Sequence, residues 1–255
     1  MSELADRIIA HYERHATAWD EDRSRGAWND KPWLDRFIAM LPKGASVIDL
    51  GCGSGHPIAR HMAAQGLRVT GVDSSPTFIS LCRSRLPGHT WIVGDMRTLS
   101  LRQSFQGILA WDSFFHLTPA DQRGMFDVFR EHAAPSTVLT FNAGPSHGEA
   151  IGSYRGDPLY HASLDPAEYA TLLKGIGFKI VAHVLNDLQA GGRTVWLARS
   201  SRFYSAGIGV AGAVGAVAAC EGAEGPLSGR SSIAIRNAMP KERTRAQARN
   251  TKRNA

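Results

Sequence analysis

The chain has 255 residues, of which 43% are apolar, 20% charged and 8% aromatic, a balance that excludes fibrous, collagen-like and wholly disordered proteins. Its 29 Lys and Arg against 23 Asp and Glu give a formal charge of +6, which at face value invites an anionic partner such as nucleic acid or a membrane surface. The distribution removes that reading from most of the chain. Residues 1–200 hold 20 basic and 20 acidic side chains, so the whole excess lies in the last fifth.

The N-terminal stretch MSELADRIIAHYERHATAWDEDR lacks the basic start and apolar centre of a signal peptide. Residues 46–50, SVIDL, form a short apolar run that ends on Gly51, Gly53 and Gly55, after which Pro57 opens a helix that Gly66 can close. The plan repeats: a strand over 68–72 ends at Asp73, Ser75 caps, and Pro76 begins a helix carrying Phe78, Ile79 and Cys82. A third strand at 89–93 runs into Gly94-Asp95, and a fourth covers 105–111. Thr118-Pro119-Ala120-Asp121 then starts a helix with Met125, Phe126 and Phe129 at helical spacing. A fifth strand spans 136–142. Residues 143–163 hold four Gly and two Pro without a sustained period and read as a long surface loop. Asp165-Pro166-Ala167-Glu168 opens another helix through a capping box, and the runs at 179–185 and 193–199, joined across Gly191-Gly192, read as a hairpin. Strands alternating with helices and closing on a hairpin predict an α/β fold, doubly wound around a mainly parallel seven-stranded sheet with one antiparallel strand near its edge.

The C-terminal region differs. No aromatic residue follows Tyr204, so 205–255, Ala/Gly-rich and then basic, is predicted to be disordered behind a domain of residues 1–204. Its uncharged run from Ala206 to Cys220 is shorter than the roughly 20 apolar residues that cross a bilayer. Cys52, Cys82 and Cys220 are odd in number and widely spaced, suggesting neither a disulfide framework nor a zinc site. The default compartment is the cytoplasm, with no membrane partner.

The chemistry is concentrated where the first strand meets its helix. A glycine loop there offers unpaired N–H groups that a ligand can approach closely. A dinucleotide fold wants G-x-G-x-x-G, but His56 stands where the third glycine belongs. The segment Asp49-Leu50-Gly51-Cys52-Gly53-Ser54-Gly55 instead resembles the acid-x-G-x-G-x-G signature of class I S-adenosylmethionine-dependent methyltransferases. Asp73, 22 residues beyond Gly51, Asp95-Met96 after the third strand and Trp111-Asp112 after the fourth match that family's further stations in order. YERHATAWD at 12–20 resembles its N-terminal arm.

The resemblance covers residues 10–200 and implies S-adenosylmethionine as cofactor. Asp73 would bind the ribose diol, with Ser74 beside it; Asp95 and Met96 would hold the adenine; Trp19, Cys52 and Trp111 would line the cofactor site. Asp49 would orient the glycine loop or meet the cofactor's ammonium. Methyl transfer from a sulfonium is an in-line displacement, so alignment and exclusion of water dominate, and a base is needed only for an acceptor that must lose a proton. Candidates for that base are Asp112, His116 and His161. Phe115, Tyr154 and Tyr160 are candidates for acceptor binding.

The sequence AWDSFF at 110–115 departs from the N-P-P-[FY] pattern of methyltransferases that act on nucleobase or glutamine amides, and favours a small-molecule acceptor. A non-catalytic cofactor-binding module, an RNA-associated methyltransferase recruited through the basic tail and, more distantly, a dehydrogenase stand as alternatives.

Overall fold

The computed structural model describes residues 2–201; the expectations placed on 205–255, including disorder, the short Ala/Gly run and the concentration of positive charge, lie outside the described residues. Two helices open the chain, α1 (Ser2–Asp6) and α2 (Ile8–Arg25), followed by α3 (Lys31–Ala39). The sequence reading did not anticipate α3, though Pro32 in its first turn and buried Trp33, Leu34 and Phe37 on one side are ordinary helix signals.

Then come β1 (Ser46–Leu50), α4 (Ile58–Ala64), β2 (Arg68–Asp73), α5 (Pro76–Arg85), β3 (Thr90–Val93), β4 (Phe105–Ala110), α6 (Pro119–Glu131) and β5 (Ala133–Ala143). The caps agree with the sequence: Ser75 accepts a hydrogen bond from the Phe78 N–H, Thr118 from Asp121 and Asp165 from Ala167. The remaining elements are β6 (Gly148–Tyr154), β7 (Asp157–Ser163), α7 (Pro166–Gly175), β8 (Phe178–Asp187) and β9 (Arg193–Ser200).

The main sheet has seven strands in the order β3-β2-β1-β4-β5-β9-β8. All pairs are parallel as far as β5, while β9 runs antiparallel to both of its neighbours. The hairpin expected at the C-terminal end is therefore β8–β9. Strand order reverses between β1 and β4, and at such a switch point the carboxyl ends of adjacent strands leave a crevice for a ligand.

Each face of the sheet carries its own core. One packs Ile48, Leu50, Ile108 and Phe141 against Met125, Phe126 and Phe129 of α6 and Tyr169 and Leu173 of α7. The other packs Val47, Val69 and Leu109 against α3, α4 and α5 through Phe37, Met62 and Ile79. Two covered faces explain why β1 and β4 read as near-continuous apolar runs. Asp49 interrupts the first of them.

Residues 143–163, expected as a surface loop, contain a separate two-stranded antiparallel sheet, β6–β7. Its turn is Arg155-Gly156, both at positive φ (50° and 87°), between the paired residues Tyr154 and Asp157. This is a two-residue hairpin turn of the kind whose first position usually carries Asn or Asp. Arg there, with Gly152 and Pro158 inside the strands, hid the signal.

Candidate active site

The cleft lies at the carboxyl ends of β1, β2, β3 and β4 and encloses about 1060 Å3 counting its open mouth. Its floor is the glycine loop. Gly51 and Gly53 take positive φ (78° and 53°), as only glycine does without strain. At Gly51 an added Cβ would meet the Ser113 side chain at 2.3 Å, so glycine is required there by packing. At Gly53 an added Cβ would meet nothing within 4 Å; the loop presents bare backbone to open space, which is the surface a bound ligand needs.

Asp73 closes β2 beside this loop. Its Oδ2 accepts the Gly53 N–H at 2.8 Å and its Oδ1 the Ser75 N–H at 2.9 Å. A carboxylate offers about four acceptor positions, which leaves room for a ligand hydroxyl beside these N–H groups. Burial raises its pKa, against the pull of these N–H groups. Asp95 caps the 3-10 turn Met96–Thr98 and is held by Arg97 through contacts of 2.6–3.0 Å, which keep its carboxyl ionised against the cost of burial. Trp19, Cys52, Ser74, Met96 and Trp111 also line the cleft. The Trp111 indole N–H is buried without a partner among the described residues.

Two residues expected to touch the cofactor do not line the cleft. At Gly55 an added Cβ would approach Cys82 Sγ at 3.1 Å, so this glycine serves close packing of the loop on α5. Asp49 is 2% exposed, and its Oδ2 has no hydrogen-bond partner. Burial, and then the charge of Asp73, raise its pKa to about 7. A carboxyl left unsatisfied beneath the loop suits a site that receives a cation.

The other wall comes from distant parts of the chain. His116 is buried on the 3-10 turn Phe114–His116, with Nδ1 2.8 Å from the Tyr160 carbonyl and Nε2 2.6 Å from the Tyr12 hydroxyl. A carbonyl only accepts, so Nδ1 carries the proton and Nε2 accepts from Tyr12 O–H. Burial, reinforced by nearby His161, lowers the His116 pKa to about 3, and burial raises that of Tyr12. Both are neutral. Tyr12 lines the cleft, and nothing in the sequence beyond its place in the N-terminal arm marks it out.

Asp112 follows β4 at φ 52°, a conformation Asp tolerates better than most residues but one that needs support from its surroundings. The Arg193 guanidinium grips both its oxygens at 2.6 and 2.7 Å, and Asn142 donates at 2.6 Å. Burial opposes its charge, but Arg193 more than offsets that and holds the carboxyl below its usual range. Arg23 and buried Asp30 complete the network, at 2.6 Å from each other, with Asp30 also 3.2 Å from Arg193. Asp112 was expected as a base; so gripped, it serves better as an anchor for its own turn.

His161, Phe115, Tyr154 and Tyr160 were expected over the acceptor, and none lines the cleft. The His161 ring lies 4.9 Å from His116 and 5.3 Å from Phe115, one layer behind the wall. Tyr160 is 1% exposed and acts on the site through its carbonyl. Tyr154 packs its ring on Trp19 at 5.0 Å and donates its hydroxyl to Asp22 at 2.8 Å. Tyr154, Tyr160 and His161 belong to the β6–β7 hairpin rather than to a loop draped over the cleft, and Phe115 lies on the 3-10 turn Phe114–His116 with its ring against His161.

The family described as "Methyltransferase domain" matches residues 47–136, the stretch that holds the glycine loop, Asp73, Asp95 and His116. Residues 47–136 are thus similar to a methyltransferase domain. A dTDP-3-amino-3,6-dideoxy-alpha-D-glucopyranose N,N-dimethyltransferase of Streptomyces fradiae is 32% identical over 100 residues, 38% of this chain and 39% of that protein. The match thus spans well under half of that relative's length. A 1,6-didemethyltoxoflavin-N1-methyltransferase of Burkholderia thailandensis superposes with a TM-score of 0.62 at 20% identity over 78% of this chain and 89% of its own. An amino pentose methyltransferase of Micromonospora echinaspora gives 0.57 at 21% identity over 72% and 96%. At such identities these two establish that the methyltransferase fold is shared. No helix among the described residues is long and apolar enough to cross a membrane.

Proposed function

We propose that the chain transfers a methyl group from S-adenosylmethionine to a small-molecule acceptor, giving S-adenosylhomocysteine. The observation that carries this reading is one cleft with a bare glycine loop and Asp73 on one side and the neutral Tyr12–His116 pair on the other, with the unsatisfied Asp49 carboxyl buried in β1 just before the loop. When bound, S-adenosylmethionine supplies a methyl group made electrophilic by the positive sulfur. The loop and Asp73 would take the ribose, Met96 and Asp95 the adenine side, and the charge of Asp49 would answer the cofactor's cationic end.

Walls built from Ala5, Ile8, Ile9 and Tyr12 of the N-terminal helices narrow the cleft, which supports a compact acceptor and keeps water from the reacting carbon. The Streptomyces relative and both solved neighbours are named for amino sugars or a small heterocycle; an acceptor of that size suits this cleft.

The pairing of Tyr12 and His116 narrows the chemistry further. The tyrosine oxygen can accept a proton from the acceptor while its own proton passes to Nε2 of His116, whose Nδ1–H stays on the Tyr160 carbonyl. Burial makes the resulting imidazolium costly, so the pair is a weak base. A weak base serves an acceptor whose proton becomes acidic only as the methyl arrives, as on an amine, or one that carries none, as a carboxylate. It does not serve an alcohol that must be ionised first.

The test is incubation with methyl-labelled S-adenosylmethionine against panels of amines, carboxylates and alcohols and a metabolite extract. Labelled product with an amine or carboxylate supports the reading. Cofactor binding without transfer to any acceptor would leave the chain a binding module.

A further inference from the structure

Where α2 meets the β6–β7 hairpin, His11 and His15 stand one helical turn apart and face Asp157 at the start of β7. One ring nitrogen from each histidine and a carboxylate oxygen of Asp157 all lie within 4.8 Å of one another. We propose that these three side chains bind a divalent transition metal ion of the zinc type, which clasps the N-terminal helix to the β6–β7 hairpin.

Two histidines at i and i+4 share a helix face, and imidazole with a carboxylate is a donor set for borderline ions such as zinc or cobalt rather than for calcium or magnesium. The second observation is the state of His11. It is 6% exposed, and its Nε2 is buried without a hydrogen-bond partner among the described residues, an unusual cost for a polar ring unless something completes it.

The other two ligands are already aligned. His15 Nε2 lies 2.8 Å from Asp157 Oδ2, and Arg14 donates to the same oxygen at 2.9 Å. Arg14 thus holds the place of a cation, and a metal would displace it. Around a tetrahedral ion the donor atoms would close to about 3.3 Å from one another, a side-chain rotation for half-buried His15 and Asp157. The remaining coordination position falls to water or an added ligand.

The hairpin already docks on α2 near this point, with Tyr154 and Arg155 on Asp22, and the Tyr154 ring lies 6.1 Å from His11 and 5.6 Å from His15. Tyr12, next to His11, reaches His116. A metal here would fix the two elements that hold Tyr12 and the Tyr160 carbonyl about His116.

The experiment titrates the full chain, stripped with chelator, with Zn2+ by calorimetry and with Co2+ by visible absorption. Wild-type protein is expected to bind one equivalent, with tetrahedral cobalt bands. His15→Gln and Asp157→Asn, both at partly exposed positions that leave the core intact, should each weaken binding at least tenfold. Arg14→Met should tighten it by freeing the carboxylate, a response that a metal held elsewhere on the chain would not give. Absence of stoichiometric binding by the wild type, or affinity unmoved by all three substitutions, overturns the proposal. His11→Gln is the less decisive variant because His11 is buried.

Discussion

The two walls of the cleft are built in opposite ways. The glycine-loop wall is made of short segments, each at the end of its own strand: Gly51 to Ser54 after β1, Asp73 and Ser74 after β2, Asp95 and Met96 after β3. Its hydrogen bonds run largely to nearby backbone, as when Asp73 accepts from Gly53 and Ser75. The facing wall is assembled from pairs far apart in the chain, Tyr12 with His116, His116 with the Tyr160 carbonyl and Asp112 with Arg193. A wall of the first kind can bind as soon as the sheet forms, whereas one of the second kind exists only when the whole fold has closed around it.

Substitutions can pull that contrast apart. The largest effect is expected from Arg193→Met, which leaves the partly buried Asp112 carboxylate with only Arg23, at 3.5 Å, as a cationic neighbour and should cost up to about 3 kcal/mol of stability, measured by denaturant unfolding. Asp30 and Arg23 would be left with an unbalanced network. If stability is unchanged, the distant wall is less interdependent than its geometry implies.

Asp73→Ala should leave the fold nearly intact but weaken S-adenosylmethionine binding by about 1–3 kcal/mol, through loss of hydrogen bonds to a charged acceptor. Calorimetry reads this directly, and unaltered affinity would remove the ribose assignment.

Asp49→Asn has a pH signature. The folded pKa of Asp49 is raised to about 7, so in the unliganded protein the group costs stability from its unfolded pKa of about 4 upward, with the full cost reached above pH 7. The Asn variant should be more stable at pH 8, on the order of 2 kcal/mol, and bind the cofactor less well. His116 works in the other direction. Its folded pKa of about 3 means that the unfolded chain gains a proton below about pH 6.5 and the fold does not, so stability falls with acid from there to about pH 3. Between pH 4 and 6.5 the two slopes oppose each other, and Asp49→Asn should therefore steepen the acid side of the stability profile. A profile of unchanged shape in thermal melts would contradict the burial of both groups.

The smallest expected effect on structure, and the sharpest on reaction, is Tyr12→Phe. It leaves His116 Nε2 without its donor but removes one oxygen only, so cofactor affinity should hold while kcat drops, by roughly 10²–10⁴-fold if the pair acts as a base. An acceptor that carries no proton would show no such drop, and this separates amine from carboxylate substrates.

The same contrast explains what could be read from the sequence. Strand ends followed by Gly, Pro and Asp are local signals, and the order of the first five strands, the caps at Ser75, Thr118 and Asp165 and the C-terminal hairpin all follow from such signals. Asp73 and the open face of Gly53 belong to that class. Tyr12 and Arg193 do not: one lies 104 residues from its partner and the other 81, and neither segment carries a mark of the pairing. Tyr154, Tyr160 and His161 read as part of a loop for a related reason, since the turn at Arg155-Gly156 does not carry the usual residues; in the hairpin it makes, Tyr154 faces Trp19 and Asp22 of α2, Tyr160 packs with Ala5 of α1 and His161 lies against His116 and Phe115.

Helix α2 meets both walls. Tyr12 reaches His116; Glu13 bonds Ser75 and Thr77 at the start of α5; Asp20 forks with Arg85 at 2.6 and 2.7 Å; and Arg23 joins Asp30. One helix therefore latches the glycine-loop wall and the facing wall together. Most of these latches are charged and partly reached by solvent, so added salt loosens them. In the proposed methyl transfer, salt is then expected to act on product release before the displacement at carbon, read as a turnover rate that changes with ionic strength while the single-turnover rate holds.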